Sequence, residues 1–304
     1  MKEEIRRRAQ ELGFDACGFA TVRPLDHLKK FYDQFIKEER QASVGYLKRY
    51  AAERLHPDMV LPGGRTVIAC LINYYPPELL VEEDNFIISK YAYGNDYPQL
   101  IKGKLHQLAA FIDTLTGQAV TSKVFSDSGP VLEKAWAQQC GVGWQGKNTI
   151  LVNRKGGSFF FIGILLTTLE TEPDLPETDH CGNCNKCISA CPTGAIDRPY
   201  QLDIRKCISY CTLVKNAEMI PEVLSRLDGK IYGCDICQDA CPYNRFAKPT
   251  PEVYFHPSDA LKKMRKNDWI HLTEEQYELW FSGKALEDIG YQRLMKNIHN
   301  AITP

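Results

Sequence analysis

The sequence lacks a long apolar run. Its longest apolar stretch, Phe159 to Leu166, contains a glycine and is far shorter than the roughly 18 residues that a membrane-spanning helix needs. It also lacks an excess of charge of either sign, since 37 Lys and Arg against 38 Asp and Glu leave a net charge of −1. This balance gives no global signature of nucleic-acid binding, so such binding would need a local basic face.

Two further signals are absent. The N-terminus reads Met-Lys-Glu-Glu-Ile-Arg-Arg-Arg, which is typical of an amphipathic helix and not of a signal peptide. We therefore expect a cytoplasmic protein with no membrane partner, in a reducing compartment where thiols bind metals instead of pairing as disulfides. The sequence contains no Walker A motif and no Gly-x-Gly-x-x-Gly between a strand and a helix, which gives phosphate or dinucleotide binding little support.

The hydrophobic pattern divides the 304 residues into three regions. The first is an α/β region to about residue 168, with helices predicted over 4–12, 26–35 and 100–115 and strands over 66–73, 120–125, 148–152 and 158–166. An acidic, proline-bearing linker at 169–180 precedes a cysteine-rich region. Beyond the prolines at 249 and 251, short helices are predicted over 258–265, 273–282 and 286–301, with Thr273 at a helix start.

Twelve cysteines are present, and eight of them form two sets. The first set has two, two and three intervening residues and is followed by proline, the spacing of bacterial ferredoxins. The second set, from Cys234 to Cys241, has two and three intervening residues and is also followed by proline. Cys207, upstream, supplies its fourth cysteine. In two-cluster ferredoxins the fourth cysteine of each run binds the other cluster. This predicts one [4Fe-4S] cluster on Cys181, Cys184, Cys187 and Cys241, and a second on Cys207, Cys234, Cys237 and Cys191.

Zinc is the alternative for these cysteines, because Cys-x-x-Cys pairs also suit a tetrahedral zinc site. A third cysteine at ferredoxin spacing and a proline after the last cysteine, both present in each set, favour clusters over zinc. The remaining four, Cys17, Cys70, Cys140 and Cys211, are expected to be small buried side chains. Cys211 lies four residues after Cys207 and could compete for the same iron.

Two loops could carry chemistry. In the first, Asp127 or Ser128 would suit a turn or helix cap, with Pro130 at the first helical position, whereas Asp127 would also suit a catalytic carboxylate. The second loop, Gly141 to Thr149, contains three glycines, which let backbone N–H groups approach a ligand closely.

The chain resembles the epoxyqueuosine reductases, cobalamin-dependent iron–sulfur enzymes that complete the queuosine modification of tRNA. The resemblance covers most of the chain in one order and is carried by both cysteine sets and by the stretches Val44-Gly-Tyr46 through Arg54 and Pro57, Asn73–Pro76, Lys90–Tyr97, Asp127–Glu133, Gly143–Thr149, Cys207–Tyr210 and Ile231–Phe246. Ferredoxin spacing is common to many electron carriers. The combination with Asp-Ser-Gly-Pro and Gly-Trp-Gln-Gly-Lys-Asn is far more restrictive.

The resemblance implies an α/β (α+β) architecture. Residues 1–170 would form a cobalamin-binding catalytic domain, 171–247 a ferredoxin-like domain with two [4Fe-4S] clusters, and 248–304 a short C-terminal helical segment. The implied reaction removes the epoxide oxygen of epoxyqueuosine, at the wobble position of tRNA, as water and leaves the alkene of queuosine. It requires two electrons and two protons. An unidentified low-potential donor would supply the electrons.

The resemblance also implies roles for individual residues. Asp127 corresponds to the acid that protonates the departing oxygen. Cobalamin contacts are implied for Arg54, Tyr91, Asp127, Lys147, Asn148 and Thr149, and also for the following strand near Ser158 and Phe160. Taken singly, Arg54 would equally suit a solvated helix residue, Tyr91 a core aromatic and Lys147 a surface charge. No Asp-x-His-x-x-Gly segment is present, so the corrin is expected to bind with its base displaced.

Many relatives continue beyond this length with a helical-repeat extension. We therefore expect the compact core to hold tRNA, through basic residues near Lys262, Lys263, Arg265 and Lys266 or around Lys102 and Lys104, although such charge runs usually mark a solvated helix face. A monomer is expected. Two alternative functions are a reductive dehalogenase-like cobalamin and iron–sulfur enzyme acting on a small molecule, and a non-catalytic electron carrier.

Overall fold

The computed structural model describes residues 1–302. Its strands are β1 (Ala16–Thr21), β2 (Thr66–Asn73), β3 (Ile87–Ile88), β4 (Ser122–Phe125), β5 (Trp144–Gln145), β6 (Leu151–Val152), β7 (Phe160–Thr167) and β8 (Lys230–Tyr232). Its α-helices are α1 (Lys2–Glu11), α2 (Asp26–Lys37), α3 (Gly45–Arg49), α4 (Ala51–Leu55), α5 (Pro57–Val60), α6 (Tyr97–Thr116), α7 (Glu133–Gln139), α8 (Lys186–Ala190), α9 (Ile208–Leu213), α10 (Pro221–Leu224), α11 (Ile236–Asp239), α12 (Asp259–Lys263), α13 (Lys266–Ile270), α14 (Glu274–Phe281) and α15 (Tyr291–Ile302). None of the helices in this part of the chain is both long and apolar enough to cross a membrane.

A four-stranded antiparallel sheet in the order β1-β2-β7-β4 forms the centre of the N-terminal region. Every residue of β2 is buried, because both faces of the sheet are covered. Alternate β2 residues face opposite sides. Ile68, Cys70 and Ile72 pack in one core with α1 and α6, whereas Val67, Ala69 and Leu71 pack in another with α7. The predicted α/β arrangement is confirmed.

The structure adds one strand that was not predicted from the sequence and corrects two predictions. The strand β1 was missed, because Ala16–Thr21 contains small residues and few β-branched ones. The predicted strand over 148–152 is limited to Leu151–Val152, since Thr149 adopts a left-handed turn conformation with φ +64°. Pro130 is not the first helical residue, because α7 begins at Glu133 after an irregular loop.

A second core joins sequence segments that lie far apart. Ile87–Ile88 pairs in parallel with Lys230–Tyr232, and the side chains of Ile88 and Ile231 pack with Trp269 and other residues of the C-terminal helices. Thr273 caps α14 in a capping box with Gln276, as predicted. This core crosses the predicted domain boundaries near 170 and 247, which remain a prediction.

Gly18 of β1 sets the distance between the sheet and the end of α7. A Cβ at this position would lie 2.0 Å from the Cys140 carbonyl oxygen and 2.8 Å from Val142 Cγ1. Because the first contact is to backbone, no side-chain rotation relieves it. We expect Gly18→Ala to lower the free energy of unfolding by about 1–3 kcal/mol, measured by denaturant unfolding.

The matched control is Gly103→Ala in α6, where an added Cβ meets no atom within 4 Å. This change should leave stability equal or raise it by about 1 kcal/mol, the difference in helix propensity between glycine and alanine. Equal stability of both variants would contradict the close packing inferred for β1 and α7.

Candidate active site and cysteine centres

The eight predicted cluster cysteines form two groups in space. Burial, and after it the nearby thiols of Cys181 and Cys241, raise the pKa of the Cys187 thiol. Cys241 in turn is close enough to Cys181 and Cys184 for their charges to act on it. These are the four residues predicted for the first cluster, and they line a cavity of about 270 Å³.

The second group is organised in the same way. Burial raises the pKa of the Cys237 thiol well above its usual value, and the next causes are Cys207, Cys234 and Cys191. Within residues 1–302, no three His, Cys, Asp or Glu side chains approach closely enough to share a single metal ion. The thiols of each group are thus spaced too widely for one metal ion. This spacing is compatible with four thiolates that each bind one iron of a cube.

The loop at Lys147 and Asn148 connects the two groups. Lys147 is 8% exposed, and its Nζ donates to the carbonyl oxygens of Gly182 and Cys184 at 2.6 and 3.0 Å and to Asn185 Oδ1 at 3.1 Å. Asn148 Nδ2 donates to the Cys237 carbonyl oxygen at 3.2 Å. Both side chains thus hold cysteine-loop backbone, and their predicted contact with cobalamin remains a prediction.

Trp144 contacts the first cysteine group from the protein interior. Its side chain is fully buried between the rings of His180 and Tyr243, with ring centroids 4.9 and 4.8 Å away. The indole Nε1 donates a hydrogen bond to Cys181 Sγ at 3.5 Å. Hydrogen bonds to cluster sulfur are one determinant of reduction potential, so Trp144 has a means to tune this centre.

Asp127 lies at a solvent-open position among Tyr46, Tyr97, Glu133 and Lys134, and this group of side chains is called the cleft below. The residue is exposed, and yet burial is the largest cause that raises the pKa of its carboxyl group, with the Tyr97 hydroxyl opposing the rise. Tyr46, 49% exposed, shows the same combination. A side chain can be exposed and still have a pKa raised by burial when solvent reaches it from one side and protein surrounds it on the others. A carboxyl group with a raised pKa retains its proton to higher pH, as a general acid requires.

Glu133 is the second carboxyl group of the cleft. Its Oε1 accepts a hydrogen bond from the Asp127 backbone N–H at 2.8 Å. Burial, followed by the charge of Asp127, raises the pKa of Glu133 to about 8. The adjacent Lys134 makes no hydrogen bond or ion pair through its Nζ in the described chain. Like Asp127 it is solvent-exposed, and yet the protein around it lowers its pKa through desolvation.

Lys134 also connects the cleft with the second cysteine group. Burial lowers the pKa of Lys134, and three nearby groups act in the opposite direction through their negative charge: Glu133, Asp127 and Cys237. The amino group is therefore near both carboxyl groups and near a predicted cluster ligand.

Arg54 supports the Asp127 loop. It is 7% exposed, and its guanidinium donates to the carbonyl oxygens of Gly129 and Val131 at 3.1 and 3.3 Å. Asp127 and Gly129 both have left-handed backbone, with φ +54° and +108°. An added Cβ at Gly129 would also lie 2.5 Å from the Phe125 ring, so glycine is needed at this position. The Nε of Arg54 is buried without a partner in residues 1–302, which leaves one donor for a ligand.

The other predicted contact residues lie in different environments. Tyr91 packs against the rings of Tyr97, Phe161 and Tyr232, in agreement with a core aromatic. Ser158 is 1% exposed and bonds to Asn244 and Gln238 beside the cysteine loops. Their roles as cofactor contacts, with those of Thr149 and Phe160, remain predictions.

The four cysteines outside the two groups are buried, as predicted: Cys17, Cys70, Cys140 and Cys211. The thiol of Cys211 makes a weak bond to the Arg205 carbonyl oxygen at 3.5 Å. The basic residues predicted to hold tRNA are partly engaged within the chain. Lys262 pairs with Glu78 at 3.0 Å, Lys104 pairs with Glu252 at 3.0 Å, and Lys102 donates to Ser128 Oγ at 2.8 Å.

Three residues of the cleft received no role in the sequence analysis: Tyr97, Glu133 and Lys134. Tyr97 and Glu133 lie at the ends of stretches that carry the resemblance, and this was the only available signal. Their spacing from Asp127 does not reveal that they face it, because the intervening loop has no regular conformation.

We expect Lys147→Met to reduce cluster content. The change leaves three acceptors of the Cys181–Cys187 loop without their donor, and this loop carries three thiolates of the first cluster. Iron and acid-labile sulfide should fall from about eight toward about four atoms of each per chain after anaerobic reconstitution. Lys155→Met, at an exposed lysine of the neighbouring turn, is the control and should retain full content.

Trp144→Phe should make the potential of the first cluster more negative. Phenylalanine keeps most of the buried ring and removes the N–H that stabilises the additional electron. An anaerobic redox titration followed by electron paramagnetic resonance measures the shift. The half-buried Trp280, changed to Phe, is the control, and equal potentials in both variants would exclude a tuning role for Trp144.

Comparison with known proteins gives consistent results. The family model described as "4Fe-4S double cluster binding domain" matches residues 180–244, and the model described as "Epoxyqueuosine reductase QueG, DUF1730" matches residues 54–128. The first match decides between clusters and zinc in favour of two [4Fe-4S] clusters.

Similar proteins match nearly the whole chain. An epoxyqueuosine reductase of Cellulophaga algicola is 40% identical over 294 residues, 97% of this chain and 95% of the relative. A structure of epoxyqueuosine reductase from Streptococcus thermophilus has a TM-score of 0.88 at 30% identity and covers 99% of this chain and 80% of that chain. Another, of epoxyqueuosine reductase with a tRNA-Tyr epoxyqueuosine-modified tRNA stem loop, has a TM-score of 0.86 at 28% identity, with the same coverage. The chain belongs to the epoxyqueuosine reductase family.

Proposed function

We propose that this chain reduces the epoxide of epoxyqueuosine in tRNA to the alkene of queuosine. The observation that carries the proposal is the cleft, in which a proton-retaining carboxyl group, Asp127, lies near the second cluster site through Lys134. Family membership favours this reaction over reductive dehalogenation and over electron transfer without catalysis.

The reaction balances with two electrons and two protons. The two carbon–oxygen bonds of the epoxide break, the oxygen leaves as water, and a carbon–carbon double bond forms. A low-potential donor outside the chain supplies the electrons one at a time. The two cluster sites give them a route that begins at the cavity of the first group and ends beside the cleft.

The residues of the cleft fit cobalamin. Lys134 Nζ and Arg54 Nε are donors without partners in residues 1–302, as suits the amide groups on the rim of a corrin. Tyr46 presents an exposed aromatic ring to the same space. When bound, cobalamin would supply a strongly reducing cobalt centre able to act on carbon.

Asp127 holds the proton that the departing oxygen needs. Burial raises the pKa of its carboxyl group, which favours the protonated form, and the Tyr97 hydroxyl lies beside it. Arg54 holds the loop through two carbonyl oxygens, so the carboxyl group stays at one place in the cleft.

The substrate reaches this cleft as part of tRNA. The related structure with a modified stem loop supports a tRNA substrate. A wobble base must leave the anticodon stack to place its side group in the cleft. We further propose a cytoplasmic monomer that receives electrons from a separate donor.

The direct test is a reconstituted reaction without oxygen. Protein carrying both clusters is incubated with cobalamin, a chemical reductant and tRNA containing epoxyqueuosine, and queuosine is measured in the nucleoside digest. Conversion that depends on both protein and cobalamin is the expected result. No conversion by fully loaded protein would refute the proposed function.

Asp127→Asn should retain clusters and bound cobalamin but lower turnover by about 10²–10⁴-fold, because asparagine keeps the shape and cannot donate the proton. Single-turnover formation of queuosine measures the effect. Asp259→Asn, at an exposed carboxylate of α12, is the control and should match the unchanged protein. Comparable rates for both variants would remove Asp127 as the acid.

A further inference from the structure

The pairing of Asp127 with Glu133 exceeds what a single proton donor requires. Glu133 is the first residue of α7, and its Oε1 accepts the N–H of Asp127 across the loop at 2.8 Å. Its Oε2 makes no hydrogen bond within residues 1–302. One oxygen thus fixes the side chain next to Asp127, and the other is free to carry a proton.

The chemistry of the proposed function requires a second proton. Asp127 holds only one, and its carboxylate must be protonated again before the oxygen can leave as water. We propose that Glu133 is a proton-relay residue that returns a proton to Asp127 within each turnover. This inference rests on the proposed function and adds a role for a residue one loop away from the acid.

The proton transfer is balanced. The Glu133 carboxyl group gives its proton to the Asp127 carboxylate, and the resulting Glu133 carboxylate takes a proton from solvent through the open cleft. The exposed position of Asp127 and Lys134 shows that solvent reaches this space. The two electrons still come from the external low-potential donor through the clusters.

The surroundings favour a stored proton on this pair. The charged and titratable groups that interact with Glu133 and Asp127 come from four segments and are Tyr46, Arg54, Tyr91, Asp96, Tyr97, Lys102, Lys134 and Asp288. Burial, and then Asp127, raise the pKa of Glu133 to about 8, so it is largely protonated at pH 7. Because the charge of Asp127 acts on Glu133, ionisation of one carboxyl group favours the proton on the other.

Glu133→Gln separates the relay from the hydrogen bond. The amide oxygen of glutamine still accepts the Asp127 N–H, whereas the side chain can no longer pass a proton. We expect turnover to fall by about 10²-fold with KM for tRNA unchanged. Loss of the Asp127 proton lowers turnover with rising pH in both proteins. Because the relay works only while Glu133 is protonated, the unchanged protein should show a further decline past about pH 8 that the variant lacks.

Glu133→Ala and Glu133→Asp complete the test. A relay predicts that the glutamine and alanine variants are similarly slow and that aspartate restores part of the rate. A purely structural role predicts that glutamine is as active as the unchanged protein and that alanine alone is slow, which would overturn the inference. Iron, sulfide and cobalamin contents of each variant are measured in parallel.

Two outcomes keep the inference apart from the proposed function. Inactive unchanged protein would refute the proposed function itself, whereas active unchanged protein with an equally active glutamine variant would refute only the relay. If the glutamine variant loses its clusters, the pH profile of the unchanged protein decides. A second decline past about pH 8, beyond the one that Asp127 causes, supports the relay, and a single decline overturns it.

Discussion

The hydrogen bonds of one short turn hold the redox part of the molecule together. Lys147 and Asn148 reach opposite cysteine loops, and each donates to main-chain oxygens beside predicted cluster ligands. A buried ammonium group requires such acceptors, because its charge would otherwise be costly in the interior. The same turn belongs to the region that carries the central sheet, so it fixes both cysteine groups relative to that sheet.

Helix α7 links the Asp127 loop with the second cysteine group. This helix begins with Glu133 and Lys134, one bonded to the Asp127 loop and the other near Cys237. Its far end packs against Gly18 of the sheet. Partial burial then has opposite effects on the two kinds of group, since it favours the protonated carboxyl and the neutral amine. The cleft is therefore poorer in charge than its sequence suggests.

The sequence allowed much of this arrangement to be predicted. Cysteine spacing predicted both thiol groups, since ligand geometry leaves few ways to arrange four thiolates around a cube. The strand 66–73 was predicted with its observed bounds, because every residue in it suits a buried strand. The placement of Lys147 was not predicted, since a lysine in a glycine-rich loop gives no sign of its distant acceptors. Glu133 was missed because only the left-handed backbone of Asp127 and Gly129 turns it toward the acid.

The core shared by Ile88, Ile231 and Trp269 has a consequence for how the protein can be divided. Apolar side chains from the first, middle and last parts of the chain exclude water only when all three are present. An excised ferredoxin-like fragment would expose this surface and lose the pairing of β3 with β8. Any division of the chain near residues 170 or 247 therefore cuts through one shared core.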